Sequence, residues 1–213
     1  MMNEPQAGQP AGQDTLRAEG FGSGPVRDSF EFLRGFLRNP AQVGSVTPSS
    51  RWLERRLVRE ARIAEARTVV ELGPGTGGTT AAFLDAMPAG GRLMAIELDP
   101  QFHRHLQQSI VDPRFILELA SAERLAELLA AHRMAAPDAI VSGIPFSTMP
   151  AEVSDRVAAA VAQVLRPGGR FVAYQVRAHV ADFVSPYLGP VHKQWEIANV
   201  PPVRVFSWTK PAG

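Results

Sequence analysis

Cysteine is absent from this 213-residue chain, and lysine nearly so: Lys193 and Lys210 stand against a background of arginine. Without thiols there is no disulfide scaffold, no Cys-ligated zinc site and no thiol nucleophile. No metal site is expected, since His103 and His105 sit two apart, on different faces of a helical segment. Neither sign of charge dominates. The net charge of +1 gives no global bias toward nucleic acid, so a polyanion site must come from local clustering, and no DNA partner is expected. No apolar run approaches the ~20 residues of a membrane span, and the N-terminus lacks the basic-then-apolar pattern of a signal peptide. What remains is a chain 45% apolar and 20% charged. It is long enough for one domain with an appendage and a substantial core. A cytoplasmic globular enzyme or binding domain is expected.

Residues 1–24 are rich in Gly, Gln, Pro and Glu without apolar periodicity, and read as a disordered tail. Residues 25–66 read as N-terminal helices. Phe30, Leu33, Phe36 and Leu37 recur at helical spacing beside Arg27, Arg34 and Arg38, and Pro40 ends that helix. A Gly/Ser/Pro loop, Val43–Ser50, leads into a second helix over Arg51–Ala66. On it Arg51, Arg55, Arg59 and Arg62 fall in a stripe about 80° wide, with Leu53, Leu57, Ala61 and Ala64 elsewhere on the cylinder. The stripe is either a solvated face or a contact for anionic phosphates.

From residue 67 to 213 short β-branched runs alternate with helical segments. Strands are expected at Thr68–Leu72, Arg92–Glu97, Phe115–Leu119, Ala139–Ser142 and Arg170–Gln175. Helices are expected near Thr79–Met87, Gln101–Ile110, Ala122–Met134, Glu152–Leu165 and His179–Leu188. This rhythm is that of an α/β fold with a doubly wound parallel sheet. Trp195–Val200 and Val203–Thr209, joined across Pro201-Pro202, follow one another directly and predict an antiparallel hairpin at the edge of a seven-stranded sheet.

The segment Val69-Val70-Glu71-Leu72-Gly73-Pro74-Gly75-Thr76-Gly77-Gly78 runs a buried strand into a glycine turn that opens a helix, so bare backbone can approach a ligand. Gly73, Gly75 and Gly78 satisfy the dinucleotide pattern G-x-G-x-x-G, and Glu97 ends the next strand. A nicotinamide enzyme is therefore one reading. Against it, Glu71 sets a carboxylate at the end of the first strand, where it would repel a pyrophosphate and welcome an ammonium. Leu165-Arg166-Pro167-Gly168-Gly169-Arg170 adds a Pro-Gly-Gly turn before the fifth strand.

Together these residues resemble the class I S-adenosylmethionine (SAM) dependent methyltransferases, over about Val43 to the C-terminus. The resemblance implies a Rossmann-like domain holding SAM, with S-adenosyl-L-homocysteine as product. It implies a cofactor set of Ser45, Glu71, Gly73, Gly75, Thr76, Gly77, Glu97, Leu98, Ser121, Ala122 and Ser142. In it the glycine loop wraps the methionine part, and Glu97 binds the ribose hydroxyls. Ser121 stands where that family usually carries an Asp beside the adenine.

The fourth strand ends Ser142-Gly143-Ile144-Pro145-Phe146-Ser147, and ligands of open α/β sheets lie beyond the carboxyl ends of the strands. An ordinary strand-to-helix turn would also need this Gly and Pro. The segment resembles the (N/D/S)-x-P-(Y/F) element of amino-directed methyltransferases. This implies catalytic roles for Ser142 as acceptor of the amine's hydrogen bond, Pro145 as stiffener and Phe146 as a π face for cationic nitrogen. Asn-Leu-Pro-Tyr stands here in the ribosomal RNA adenine dimethylases, which makes RNA the alternative acceptor.

Phe32–Pro40, Val43–Ser50, Ser142–Phe146 and Asn199–Pro202 together resemble the bacterial phospholipid N-methyltransferases of the Rhodobacter type. That resemblance implies stepwise methylation of phosphatidylethanolamine toward phosphatidylcholine. The enzyme would be cytoplasmic, docked on the anionic inner face of a membrane, and a monomer or weak oligomer. The Val26–Asn39 helix and the arginine stripe would dock it, or the helix would lid the cleft. A small-molecule N-methyltransferase and a silent SAM-binding module are the remaining alternatives.

Overall fold

The computed structural model describes residues 49–212. The tail of residues 1–24, the Val26–Asn39 helix and Ser45 lie outside the described residues. Helix α1 (Arg51–Glu60) starts at Ser50, whose hydroxyl accepts from the Leu53 amide. Then come a 3₁₀ turn (Ile63–Glu65), β1 (Thr68–Leu72), α2 (Gly78–Ala86), β2 (Arg92–Glu97) and α3 (Pro100–Ser109). The chain continues with β3 (Phe115–Leu119), a 3₁₀ turn (Ala122–Arg124), α4 (Leu125–Ala131), β4 (Ala139–Ser142) and α5 (Ala151–Val164). It closes with β5 (Arg170–Gln175), α6 (Val180–Leu188), β6 (His192–Glu196) and β7 (Val203–Thr209).

The seven strands lie in the order β3-β2-β1-β4-β5-β7-β6. The first five are parallel, and β7 runs antiparallel between β5 and β6. Side chains of a strand alternate faces. Val70, Leu72, Met94, Ile96, Ile140 and Phe171 pack one face against α4, α5 and α6, while Val69, Leu93, Val141 and Val172 pack the other against α1 and α2.

Two elements depart from the sequence pattern. The second helix stops at Glu60, and Arg62 takes a left-handed φ of 52°. That turn carries Ile63 fully into the core and leaves Ala64 exposed, so burial of the larger side chain decides where the helix ends. Strand β6 spans His192–Glu196, not Trp195–Val200, because its pairing with β7 begins at Glu196↔Val203 and residues 197–202 become the corner. Among the described residues no helix is long and apolar enough to cross a membrane, and no cluster of His, Asp and Glu forms a metal site.

Candidate active site

All parallel strands point their carboxyl ends at one cleft of about 1330 Å³, counting the part open to solvent. One side is built from the β1–α2 turn, the end of β2 and the segment after β3: Gly73, Gly75, Thr76, Glu97, Leu98, Phe102, Ser121 and Ala122. The other is built from Ile144 and Pro145 after β4, Tyr174 near the end of β5, and Ser49, Asn199, Pro201 and Val203.

At Gly75 the glycine turn has φ at +58° and nothing within 4 Å of where a Cβ would stand. The backbone there opens directly onto the cleft. Gly77 is needed for another reason. A Cβ on it would lie 2.6 Å from Leu106 Cδ2, so this glycine lets α2 and α3 close together and does not line the cleft.

Glu97 ends β2 with its carboxylate buried and threefold hydrogen-bonded: Oε1 accepts from the Leu98 and Asp99 amides at 2.8 Å each, and Oε2 from Gly75 at 3.1 Å. Burial raises its pKa against the pull of those amides. The carboxylate thus ties the glycine turn to β2 and, lining the cleft, keeps one of its about four acceptor sites unused.

Glu71 sits one layer below. It shares Val69's face of β1, fully buried, and accepts hydrogen bonds from the Thr79 and Thr80 hydroxyls. It does not line the cleft, which corrects its expected place at the mouth of the strand. Burial, reinforced by the charge of Glu97, pushes its carboxyl up to about 7 against those two hydroxyl bonds. The folded chain therefore holds this proton more tightly than the unfolded chain, whose glutamate titrates near 4.5. Stability is expected to fall as pH rises from about 5 to 7, by on the order of 3 kcal/mol, and to level off above. Urea unfolding across this range should show the slope, and Glu71→Gln should flatten it.

The acceptor side differs from expectation in two residues. Phe146 is buried with its ring 6.4 Å from that of Phe183, so it anchors the loop in the core and offers no face to the cleft. Ser142 is fully buried as well, and its hydroxyl accepts from the Ile144 amide at 3.3 Å. It shapes the turn. Pro145 lines the cleft, with its carbonyl taken by Thr148. Gln175 donates to the Ile144 carbonyl at 2.6 Å and holds the same loop from β5.

Tyr174 was not singled out in the sequence. Its hydroxyl stands 2.6 Å from where a Cβ on Gly143 would be, with the Thr79 and Ser49 hydroxyls in its neighbourhood. Burial, then the charge of Glu71, raises its pKa, so the phenol stays protonated at neutral pH. The carboxyl-end rule, applied to β5 as it was to β4, points to it. Asn199 ties the far corner to α1, its Oδ1 accepting from the Ser50 amide at 3.0 Å.

A left-handed glycine turn open to a cleft, an acid closing β2 and a slot lined by Leu98, Phe102 and Ala122 suit a nucleoside joined to an amino-acid chain. The comparisons agree. A model of the methyltransferase domain matches residues 69–169. An ornithine lipid N-methyltransferase from Singulisphaera acidiphila is 31% identical over 85% of this chain and 95% of its own length. A ribosomal RNA small subunit methyltransferase A from Nocardia farcinica is also 31% identical, over 75% of this chain but only 51% of its own, so the chain spans about half of that relative. In fold, the 1,6-didemethyltoxoflavin-N1-methyltransferase of Burkholderia thailandensis, solved with S-adenosylhomocysteine, superimposes with a TM-score of 0.64 over 92% of this chain and 97% of its own, at 17% identity. With site, fold and relatives pointing the same way, this chain belongs to the class I SAM-dependent methyltransferases and takes SAM as its cofactor.

Proposed function

We propose that the chain methylates the primary amine of an aminolipid, phosphatidylethanolamine first, stepwise toward phosphatidylcholine. The carrying observation is the crowding at Gly143, where the Tyr174 hydroxyl takes the space a side chain would need. That leaves one phenolic oxygen between the ends of β4 and β5, a setting suited to a small amine. The extended similarity to an ornithine lipid N-methyltransferase supports a lipid carrier.

SAM supplies a methyl group on a sulfonium, already activated for in-line displacement. The chain's part is alignment and exclusion of water. In this reading Glu97 holds the ribose hydroxyls, Gly73–Thr76 cradle the amino-acid end, and Leu98, Ser121 and Ala122 flank the base. Tyr174 accepts a hydrogen bond from the acceptor amine, and behind it Thr79 donates to Glu71. An amine of this kind, with a pKa of ~10, arrives protonated and gives that proton to solvent water on entering the cleft, which frees its lone pair for attack. A lipid head group reaches the cleft only at a bilayer, so the enzyme works peripherally on the inner, cytoplasmic face.

The test offers labelled SAM to the full chain with vesicles containing phosphatidylethanolamine, vesicles containing ornithine lipid, and small-subunit ribosomal RNA. Label in mono-, di- and trimethylated phosphatidylethanolamine is expected. Label in RNA alone, or in ornithine lipid alone, overturns the assignment of the acceptor.

A further inference from the structure

Four large apolar side chains stand exposed where three segments meet around the cleft: Trp52 (60% exposed), Val176 (40%), Ile197 (78%) and Val200 (76%). Strand register brings them to one end of the sheet. Gln175 pairs with Arg204, and Glu196 with Val203, so Val176 and the 197–202 corner lie together at the carboxyl ends of the parallel strands. Helix α1 is fastened to the same corner through Ser50 and Asn199, and through the Arg56–Glu196 ion pair at 2.6 Å. Leu53 next to Trp52, and Asn199 and Pro201 on either side of Val200, line the cleft itself.

Arginine outnumbers acid around these side chains. Segments 51–60, 176–182 and 196–204 carry Arg51, Arg55, Arg56, Arg59, Arg177 and Arg204 against Glu54, Glu60, Asp182 and Glu196, and of these acids Glu60 and Glu196 are already paired with Arg59 and Arg56. Arg55 lies 5.6 Å from the Trp52 ring, so a cation and an amphipathic aromatic share one spot. The neighbouring Glu196 is buried and already paired with Arg56. Apolar side chains projecting singly from an arginine-rich rim match the interfacial zone of an anionic bilayer, where tryptophan settles at the head groups and guanidinium pairs with phosphate.

We infer that this rim, centred on Trp52, Ile197 and Val200, is a docking face that seats the mouth of the cleft on an anionic bilayer. The inference rests on the lipid-acceptor reading and adds to it a place of contact independent of the residues before Ser49. In the docked pose the head group enters between α1 and the 197–202 corner with its acyl chains still in the membrane.

The test uses the full chain and vesicles of phosphatidylethanolamine with phosphatidylglycerol. The triple variant Trp52→Ser, Ile197→Ser, Val200→Ser should bind these vesicles at least tenfold more weakly, with unchanged SAM affinity by calorimetry and an unchanged melting curve. The charge variant Arg51→Glu, Arg55→Glu should lose the salt-sensitive part of binding, which decays with a Debye length of about 8 Å at physiological salt. Brominated lipid should quench the parental chain more than the Trp52→Phe variant. Both variants should still methylate lipid presented in detergent micelles, which separates lost docking from lost chemistry. Parental vesicle binding by both variants overturns the docking face. A parental chain that self-associates in centrifugation through these residues, without lipid, overturns it in favour of a second copy. Vesicle binding through the rim without any lipid methylation would uphold the face and sink the proposed acceptor.

Discussion

Gly143→Ala is expected to lower kcat/KM for methyl transfer by about 100-fold, the scale on which a displacement near 1 Å at a reacting centre acts. The added carbon would lie 2.6 Å from Tyr174 Oη and 2.9 Å from the carbonyl oxygen of Gly73. The first contact presses on the acceptor side of the cleft and the second on the cofactor side. Both walls must shift, because one of the two partners is backbone. Tyr174→Phe alone should also cost activity, through loss of the hydroxyl, while leaving SAM affinity close to parental. The double variant then separates the causes, since residues in contact do not add. If the clash with the phenolic oxygen dominates, removing that oxygen makes the alanine much less harmful than in the parental background. Steady-state kinetics with a lipid acceptor, alongside SAM titration by calorimetry, measures the cycle. Parental activity in Gly143→Ala would mean that transfer takes place elsewhere.

The second large effect is expected at Glu97. Glu97→Ala removes the acceptor of three amides and leaves those of Leu98 and Asp99 in a buried environment without a partner. Losing a charge-assisted acceptor costs about 1.5–3 kcal/mol, which corresponds to roughly 10- to 150-fold in SAM Kd. The released Gly75 amide adds to this by loosening the turn that faces the cofactor. Glu97→Gln keeps one carbonyl oxygen for the amides and should fall between the two. An unchanged Kd in Glu97→Ala would place the ribose away from the end of β2.

The parallel core was legible because burial on both faces writes itself as an uninterrupted apolar run. Leu93–Ile96 and Ala139–Val141 are such runs and Val69–Leu72 is one broken by Glu71, each flanked by Gly or a charged residue, and the five parallel strands fall where the sequence places them. The hairpin was harder to place. Trp195, Ile197 and Val200 look like strand residues by composition, yet all three are exposed, because register with β7 decides where β6 ends. The glycine turn and Glu97 are local features of a strand–turn–helix–strand unit and could be read from spacing, whereas Leu98 came only with the family resemblance. Glu71 and Phe146 show the limit of that reading. A strand residue's type does not say which face the ligand uses, and a loop aromatic can serve the core as readily as the cleft. Tyr174, Ser49 and Asn199 come from segments far apart in sequence, and only the sheet order brings them together.

The place of β7 between β5 and β6 sets an order of events during synthesis. Strand β6 has β7 as its sheet neighbour, so after it leaves the ribosome it has nothing to pair with until residues 203–209 follow. The five parallel strands that carry the glycine turn pair among themselves and need neither β6 nor β7 for their register. The corner at 197–202 is therefore fixed only once β7 has paired, and with it the clasp from Asn199 and Glu196 onto α1. The acceptor wall and the arginine-bearing rim thus hang on the pairing of one strand, while the residues of the cofactor side lie on none of its length.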